Sequence, residues 1–167
     1  MKNLTIAAIV FISIFLTITI PSNAFGAPAH DGGTVFRDVE GKEWILSEFR
    51  SVTSSGSVGK TVYIDRQTLG AIGMGEAFTL TFQDGRLSGM GAPNRYFGPY
   101  TAYANRGLSI GDVANTLMAA FYEPDELKER EYFDYLSGVT HWDLGGGRLE
   151  LYSTGNGTET ILIFDLK

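Results

Sequence analysis

The sequence predicts an α+β domain: a mainly antiparallel sheet forming a partly open barrel, with one main helix at about 124–137 packed against it. Three observations lead there. Beyond residue 42 the apolar segments are short, and the clearest of them alternates. Glycine, asparagine and aspartate turn signals recur between them. Only one stretch, Glu123 to Ser137, carries a strong helical signature.

Taken in order, Glu43 to Phe49 reads as a strand opening on Trp44. Ser51 to Lys60, rich in serine and glycine, reads as a mobile loop. Thr61 to Ile64 follows as a short strand, and Gln67 to Glu76, with Gly70, Gly73 and Gly75, as a connection with room for one helical turn. Phe78-Thr79-Leu80-Thr81-Phe82 alternates cleanly, so Phe78, Leu80 and Phe82 face the core. Gln83-Asp84-Gly85 is a hairpin turn of the Asp-Gly kind, and Arg86 to Ser88 pairs back. Pro93 to Pro99 reads as irregular. Asn105-Arg106-Gly107 turns between Tyr100–Ala104 and Leu108–Ile110.

The helix has Pro124 pre-set for a first turn and Asp125 and Glu126 at the positive end of its dipole. Leu127, Phe133 and Leu136 form its buried stripe, and Gly138 stands at the C-cap position. Its acids (Glu123, Asp125, Glu126, Glu129, Glu131, Asp134) read as a solvated face, with Glu126 and Arg130 paired across one turn. Val139–Asp143, Arg148–Tyr152 and Thr160–Leu166 are three final strands, separated by turns at Gly145–Gly147 and Gly155–Gly157.

The first 29 residues have the layout of a secretory signal peptide. Lys2 is the positive start, Leu4 to Ile20 the uncharged apolar run, and Pro21 ends it ahead of a small-residue segment. Cleavage frames precede Ala27 and His30. Residues 30–41, polar and Gly-rich, read as a flexible lead-in. The expected location is therefore periplasmic or secreted, with membrane attachment only where the leader is uncleaved.

Composition removes several chemistries. The chain has a net charge of −6 and no cysteine. Nucleic-acid binding, which needs clustered Lys and Arg, is not expected. Thiol catalysis, disulfides, thiolate metal sites and lipid attachment through an N-terminal cysteine are excluded. Gly59-Lys60-Thr61 ends like a phosphate loop, but the required earlier glycine is Ser54 and a strand follows instead of a helix. His141 sits beside Trp142 in a strand, and no serine stands in a nucleophile elbow. The acids ride a helix and lack the loop spacing of a calcium site. No catalytic residue, cofactor or metal is assigned. Core packing is the first expectation for the aromatics from Tyr96 to Tyr135, with some tyrosines free to line a groove for a partner.

Ser88-Gly89-Met90-Gly91-Ala92-Pro93-Asn94-Arg95-Tyr96-Phe97-Gly98-Pro99-Tyr100 resembles the signature of the META domain, also called HslJ-like. The order of other segments agrees: Trp44 and Leu46, Phe78 to Phe82, Asn115 to Ala120, the acidic helix, Leu149 and Leu151, and Leu162 and Phe164. The resemblance covers about 42–166, so the organisation is a signal peptide (1–29), a lead-in (30–41) and one META/HslJ-like domain (42–167). It implies that two cysteines common in relatives fall on Pro93 and Ala120, leaving packing alone to hold the signature loop to the helical segment.

It also implies an exported or envelope-associated protein without established catalytic residues. The motif positions Asn94, Arg95, Tyr96, Gly98 and Tyr100 are the candidate binding surface, each with an alternative structural role in its own loop or core. The functional expectation is a non-enzymatic role in the cell envelope, in stress tolerance or in binding an envelope protein or small ligand. The alternative is a carrier of an apolar small molecule inside the barrel, with the Ser51–Lys60 and Gly70–Gly75 loops as lids. Mass spectrometry of the exported protein checks the leader: the expected N-terminus is Ala27 or His30, and an intact Met1 contradicts cleavage.

Overall fold

The computed structural model describes residues 35–52, 56–118, 122–155 and 158–167. The expected leader, Ala120 and the centre of the 155–157 turn lie outside them. The domain is one antiparallel sheet of ten strands: β1 (Glu43–Val52), β2 (Val58–Tyr63), β3 (Thr79–Gln83), β4 (Arg86–Met90), β5 (Arg95–Ala102), β6 (Leu108–Ile110), β7 (Ala114–Asn115), β8 (Val139–Gly145), β9 (Arg148–Gly155) and β10 (Thr158–Leu166). Helices are α1 (Arg66–Ala71) and α2 (Glu129–Ser137).

Strand order is β6-β5-β4-β3-β1-β10-β9-β8, with β2 added to β1 and β7 to β5. The sheet curls until its two ends meet at a bridge, Gly107 with His141, where the Trp142 amide donates to the Arg106 carbonyl at 3.0 Å. Among the described residues no ladder closes the circle, so the α+β, partly open barrel expected from the sequence is what forms.

Alternation on the strands fills the interior. Leu80 and Phe82 of β3, Leu149 and Leu151 of β9, and Leu162 and Phe164 of β10 are buried without measurable exposure. A bulge in β1 changes the phase of that strand: Leu46 lies opposite Phe164, but Glu48 lies opposite Ile163, leaving Ser47 as the extra residue. The shift brings Phe49 to Tyr135 of α2, with ring centroids 6.1 Å apart. Glu48 is buried as well, and its carboxylate is matched by Arg50 at 2.5 Å and Arg148 at 2.9 Å. A buried carboxylate without such partners would be strongly destabilising.

Four boundaries differ from the sequence-based expectation. Pro93–Pro99, expected to be irregular, mostly forms β5, with Pro99 inside the strand. The Tyr100 amide points to the Gly85 carbonyl on the β4 side, so the missing N–H of Pro99 faces the other way. There it falls between the β7 ladder, which pairs Tyr96 and Phe97, and the β6 ladder, which begins at Tyr100. No ladder bond is lost, which is the condition for proline within a sheet.

Helix α2 begins at Glu129 instead of near 124, with Lys128 in extended backbone at its N-cap. Leu127 and Leu136 are buried as expected, and Tyr132 joins them. The expected Ser51–Lys60 loop is strand at both ends: Ser51 and Val52 finish β1, paired with Thr160 and Glu159 of β10, and Val58 to Lys60 open β2. Finally, the lead-in is packed where it is described. Phe36–Asp38 form a 3-10 turn, Val39 is buried, and the Trp44 indole donates to the Val39 carbonyl at 3.0 Å. Phe36 lies against Phe82, Tyr100 and Trp142 with centroids 5.1–5.4 Å away, so it belongs to the core. The 67–76 connection is likewise anchored. Arg66, whose guanidinium burial lowers to about 10, donates to the Leu46 carbonyl at 3.0 Å and the Ala77 carbonyl at 2.6 Å.

A second aromatic group joins α2 to the sheet. The Tyr96 hydroxyl donates to the Thr79 carbonyl at 2.8 Å and lies 2.9 Å from the Tyr132 hydroxyl. Burial pushes both phenols above the ordinary tyrosine value of 10.0. The unfolded chain releases those protons above pH 10 while the folded chain holds them. Stability is therefore complete at lower pH and falls as pH rises beyond 10. Tyr132→Phe is expected to cost about 1 kcal/mol at neutral pH and to make that alkaline decline shallower. Urea denaturation at a series of pH values measures both, and an unchanged slope would contradict the assignment.

Candidate functional site

The turn from β4 to β5 carries the signature residues, and its conformation is set by one carboxylate. Glu129 Oε1 accepts from the backbone amides of Ala92 and Asn94, both at 2.6 Å, and Oε2 accepts from Asn94 Nδ2 at 2.6 Å. Between the two amides lies the cis peptide Ala92–Pro93. Glu129 is 9% exposed. As the first residue of α2, it also stands at the positive end of the helix dipole, where a carboxylate is favoured.

Asn94 completes the arrangement. Its Oδ1 accepts from Thr116 Oγ1 at 2.8 Å and the Met118 amide at 2.7 Å, and its Nδ2 also donates to the Met118 carbonyl at 3.3 Å. Every side-chain donor and acceptor of the amide is used, which fixes its orientation. One asparagine thus ties together the signature turn, the 116–118 segment and α2. Gly91 is required beside it: a Cβ there would lie 2.4 Å from Glu129 Oε1 and 2.9 Å from the Phe133 ring.

This corrects two expectations. The signature loop is not held to the helical segment by packing alone, because a buried carboxylate bonds it directly. The acids of 123–134 are not uniformly a solvated face, because Glu129 points inward. A signal for Glu129 was present. It shares helical spacing with Tyr132, Phe133 and Leu136, and so occupies the apolar stripe.

The five motif residues separate by the alternation of β5. Asn94, Tyr96, Gly98 and Tyr100 are buried, and Arg95 is exposed. At Gly98 a Cβ would stand 2.9 Å from the Asp112 carbonyl. Tyr100 bonds the Glu40 carboxylate, and burial together with that bond raises its hydroxyl to about 12. The motif's buried members build the fold. Its outward members are Arg95 and a residue outside the expected set, Phe97, which is 49% exposed.

Phe97 stands between two hollows on the outer face of the sheet. The larger, about 550 Å³, crosses β1, β3, β4 and β5 and is bounded by Glu43 and Glu76 at one side and Arg95 and Phe97 at the other. The smaller, about 280 Å³, lies between Arg86, Phe97, Pro99 and Asp112. Arg86 covers the Phe97 ring at 5.2 Å from its centroid, a cation–π contact that steadies an exposed aromatic. Inside the barrel, by contrast, Phe36, Phe82, Tyr100 and Trp142 occupy the space between the sheet's faces. His141 is half-buried on β8, edge-on to Tyr152 with centroids 5.3 Å apart.

The sequence model of the META domain family matches residues 38–164. A search of curated proteins gives no match. Among solved structures, the chain is similar to an NMR structure of a protein from Burkholderia xenovorans, at 22% identity and a TM-score of 0.53, covering 78% of this chain and 85% of that one. It is also similar to a DUF4847 family protein from Bacteroides vulgatus, at 15% identity and a TM-score of 0.54, covering 79% and 96% respectively. These likenesses are of fold.

Glu129→Ala strands three donors and is expected to destabilise the domain by about 3–5 kcal/mol. Combined with Asn94→Ala, the loss is expected to fall short of the sum by about 1–3 kcal/mol, while the exposed Glu126→Ala stays within about 0.5 kcal/mol. Denaturant melts of the four variants test this, and additive losses would contradict a shared network.

Proposed function

The chain belongs to the META domain family, and from that premise we propose that it is an exported, non-enzymatic binding protein of the cell envelope, working in the periplasm or outside the cell. The observation that carries the reading is the division of labour on β5. Asn94, Tyr96, Gly98 and Tyr100 are committed to the interior, while Arg95 and Phe97 face the 550 Å³ groove. A large aromatic left half exposed, beside a charged side chain and over a concave surface, is the composition of a binding hot spot.

Two further features support the reading. The leader layout of residues 1–29 favours export. His141 lies edge-on to the Tyr152 ring, the setting of a histidine packed on a strand. The filled aromatic interior leaves the alternative, an apolar ligand carried inside the barrel, without support.

Capture from an envelope extract tests the proposal. Immobilised protein is expected to enrich a partner or ligand, and the outward-facing double variant Arg95→Ala/Phe97→Ala is expected to lose it while keeping the wild-type circular dichroism. Equal enrichment by both proteins, or none by either, would overturn the groove as the binding surface.

A further inference from the structure

The groove's two sides carry opposite charge. The register aligns Glu43, Thr81, Ser88 and Phe97 across β1, β3, β4 and β5, with Arg95 in the adjacent row. Three inter-strand spacings make the distance from the Glu43 side to the Phe97 side roughly 14 Å. At the first side stand the carboxylates of Glu43 and Glu76, both exposed. Lys167 bonds both of them, which leaves the trio with one net negative charge. At the other side the Arg95 guanidinium makes no ion pair among the described residues. Between them, the hydroxyls of Thr81 and Ser88 line the floor and make no hydrogen bond to the described residues.

Each part restricts the ligand. A purely anionic molecule meets repulsion at Glu43 and Glu76, and a purely cationic one meets it at Arg95. A neutral molecule leaves Arg95 and the residual negative charge of the Glu43–Glu76–Lys167 trio unmatched. The complementary ligand is a zwitterion with its charges about a groove's width apart and groups between them that bond to hydroxyls. An extended chain of four amino acids spans about 13 Å and has that charge order when both ends are free. Met90 and Phe97 provide the apolar surface near the Arg95 end.

We propose that this groove binds short peptides with free termini. The ammonium lies at Glu43 and Glu76, the carboxylate lies on Arg95, and an apolar C-terminal side chain rests on Phe97. This rests on the reading of the groove as the binding surface and adds the ligand class to it.

The test is a two-dimensional NMR titration of the 15N-labelled protein with Ala-Ala-Ala-Leu in three forms: free, N-acetylated and C-amidated. Shifts are expected at the amides of Thr81, Ser88, Arg95 and Phe97 with the free peptide. Blocking either end, or Arg95→Gln, is expected to weaken binding roughly tenfold or more, the loss of one charge-assisted contact. Three results would overturn the proposal: no shifts with the free peptide, shifts centred away from the groove, or equal affinity for all three forms. If the titration fails while capture from envelope extract still depends on Arg95 and Phe97, the ligand class falls and the binding surface stands. If capture fails too, both fall.

Discussion

The contact between Glu129 and the Ala92–Asn94 turn is the constraint on which the rest of the site depends. A carboxylate with little exposure is costly unless each oxygen is bonded. Here both oxygens are, by two backbone amides and one side-chain amide on the same turn. The bonds act in both directions: the turn stabilises the charge, and the charge specifies the turn. Because Glu129 is the first residue of α2, the same contact sets where the helix starts and brings Tyr132 and Phe133 onto Tyr96. The start of β5 is thereby fixed in phase. A slip of one residue would exchange the faces of the strand, sending Tyr96 outward and Phe97 into the core.

The proposed binding surface is a consequence of that phase. Binding residues on strands are held more precisely than those on loops, because the ladder fixes their direction. Arg95 and Phe97 are presented by a strand whose alternate residues are locked in the core, and β4 supports them through the pairs Met90–Arg95 and Ser88–Phe97. Phe97 leaves about half of its surface in water, and Arg86 above the ring reduces that cost. That combination is the ground on which the contact surface is proposed.

Much of the fold was legible in the sequence because it rests on local patterns. The alternation of 78–82, the Asp-Gly turn after it and the glycine turns late in the chain each point to a strand or hairpin without knowledge of distant residues. What was not legible depends on pairing across long separations. Pro99 reads as a strand breaker until the switch from β7 to β6 along β5 is known, and Phe36 reads as part of a tail until its neighbours Phe82 and Trp142 are placed. The bulge at Ser47 leaves no local trace. In the site, the motif residues were identifiable as a group. Which of them face water was not, since that follows from a phase set by Glu129, 35 residues or more away from the turn residues it bonds.

The absence of cysteine takes on a physical meaning from this arrangement. In relatives, the resemblance implies a covalent tie ending at the position of Pro93, next to the two amides that Glu129 holds. A disulfide contributes about 2–4 kcal/mol, largely by restricting the unfolded chain. Hydrogen bonds to a charged group contribute about 1.5–3 kcal/mol each, offset by the several kcal/mol it costs to remove a carboxylate from water. The two devices are thus of similar net strength, but they act on different states. A disulfide leaves the folded turn little more specific than before. The carboxylate acts only when Ala92, Asn94 and α2 are in register, so it selects the geometry that turns Arg95 and Phe97 outward. It also works identically in oxidising and reducing surroundings. A surface defined by strand phase is better served by a contact that exists only in the correct phase than by a tether that tolerates several.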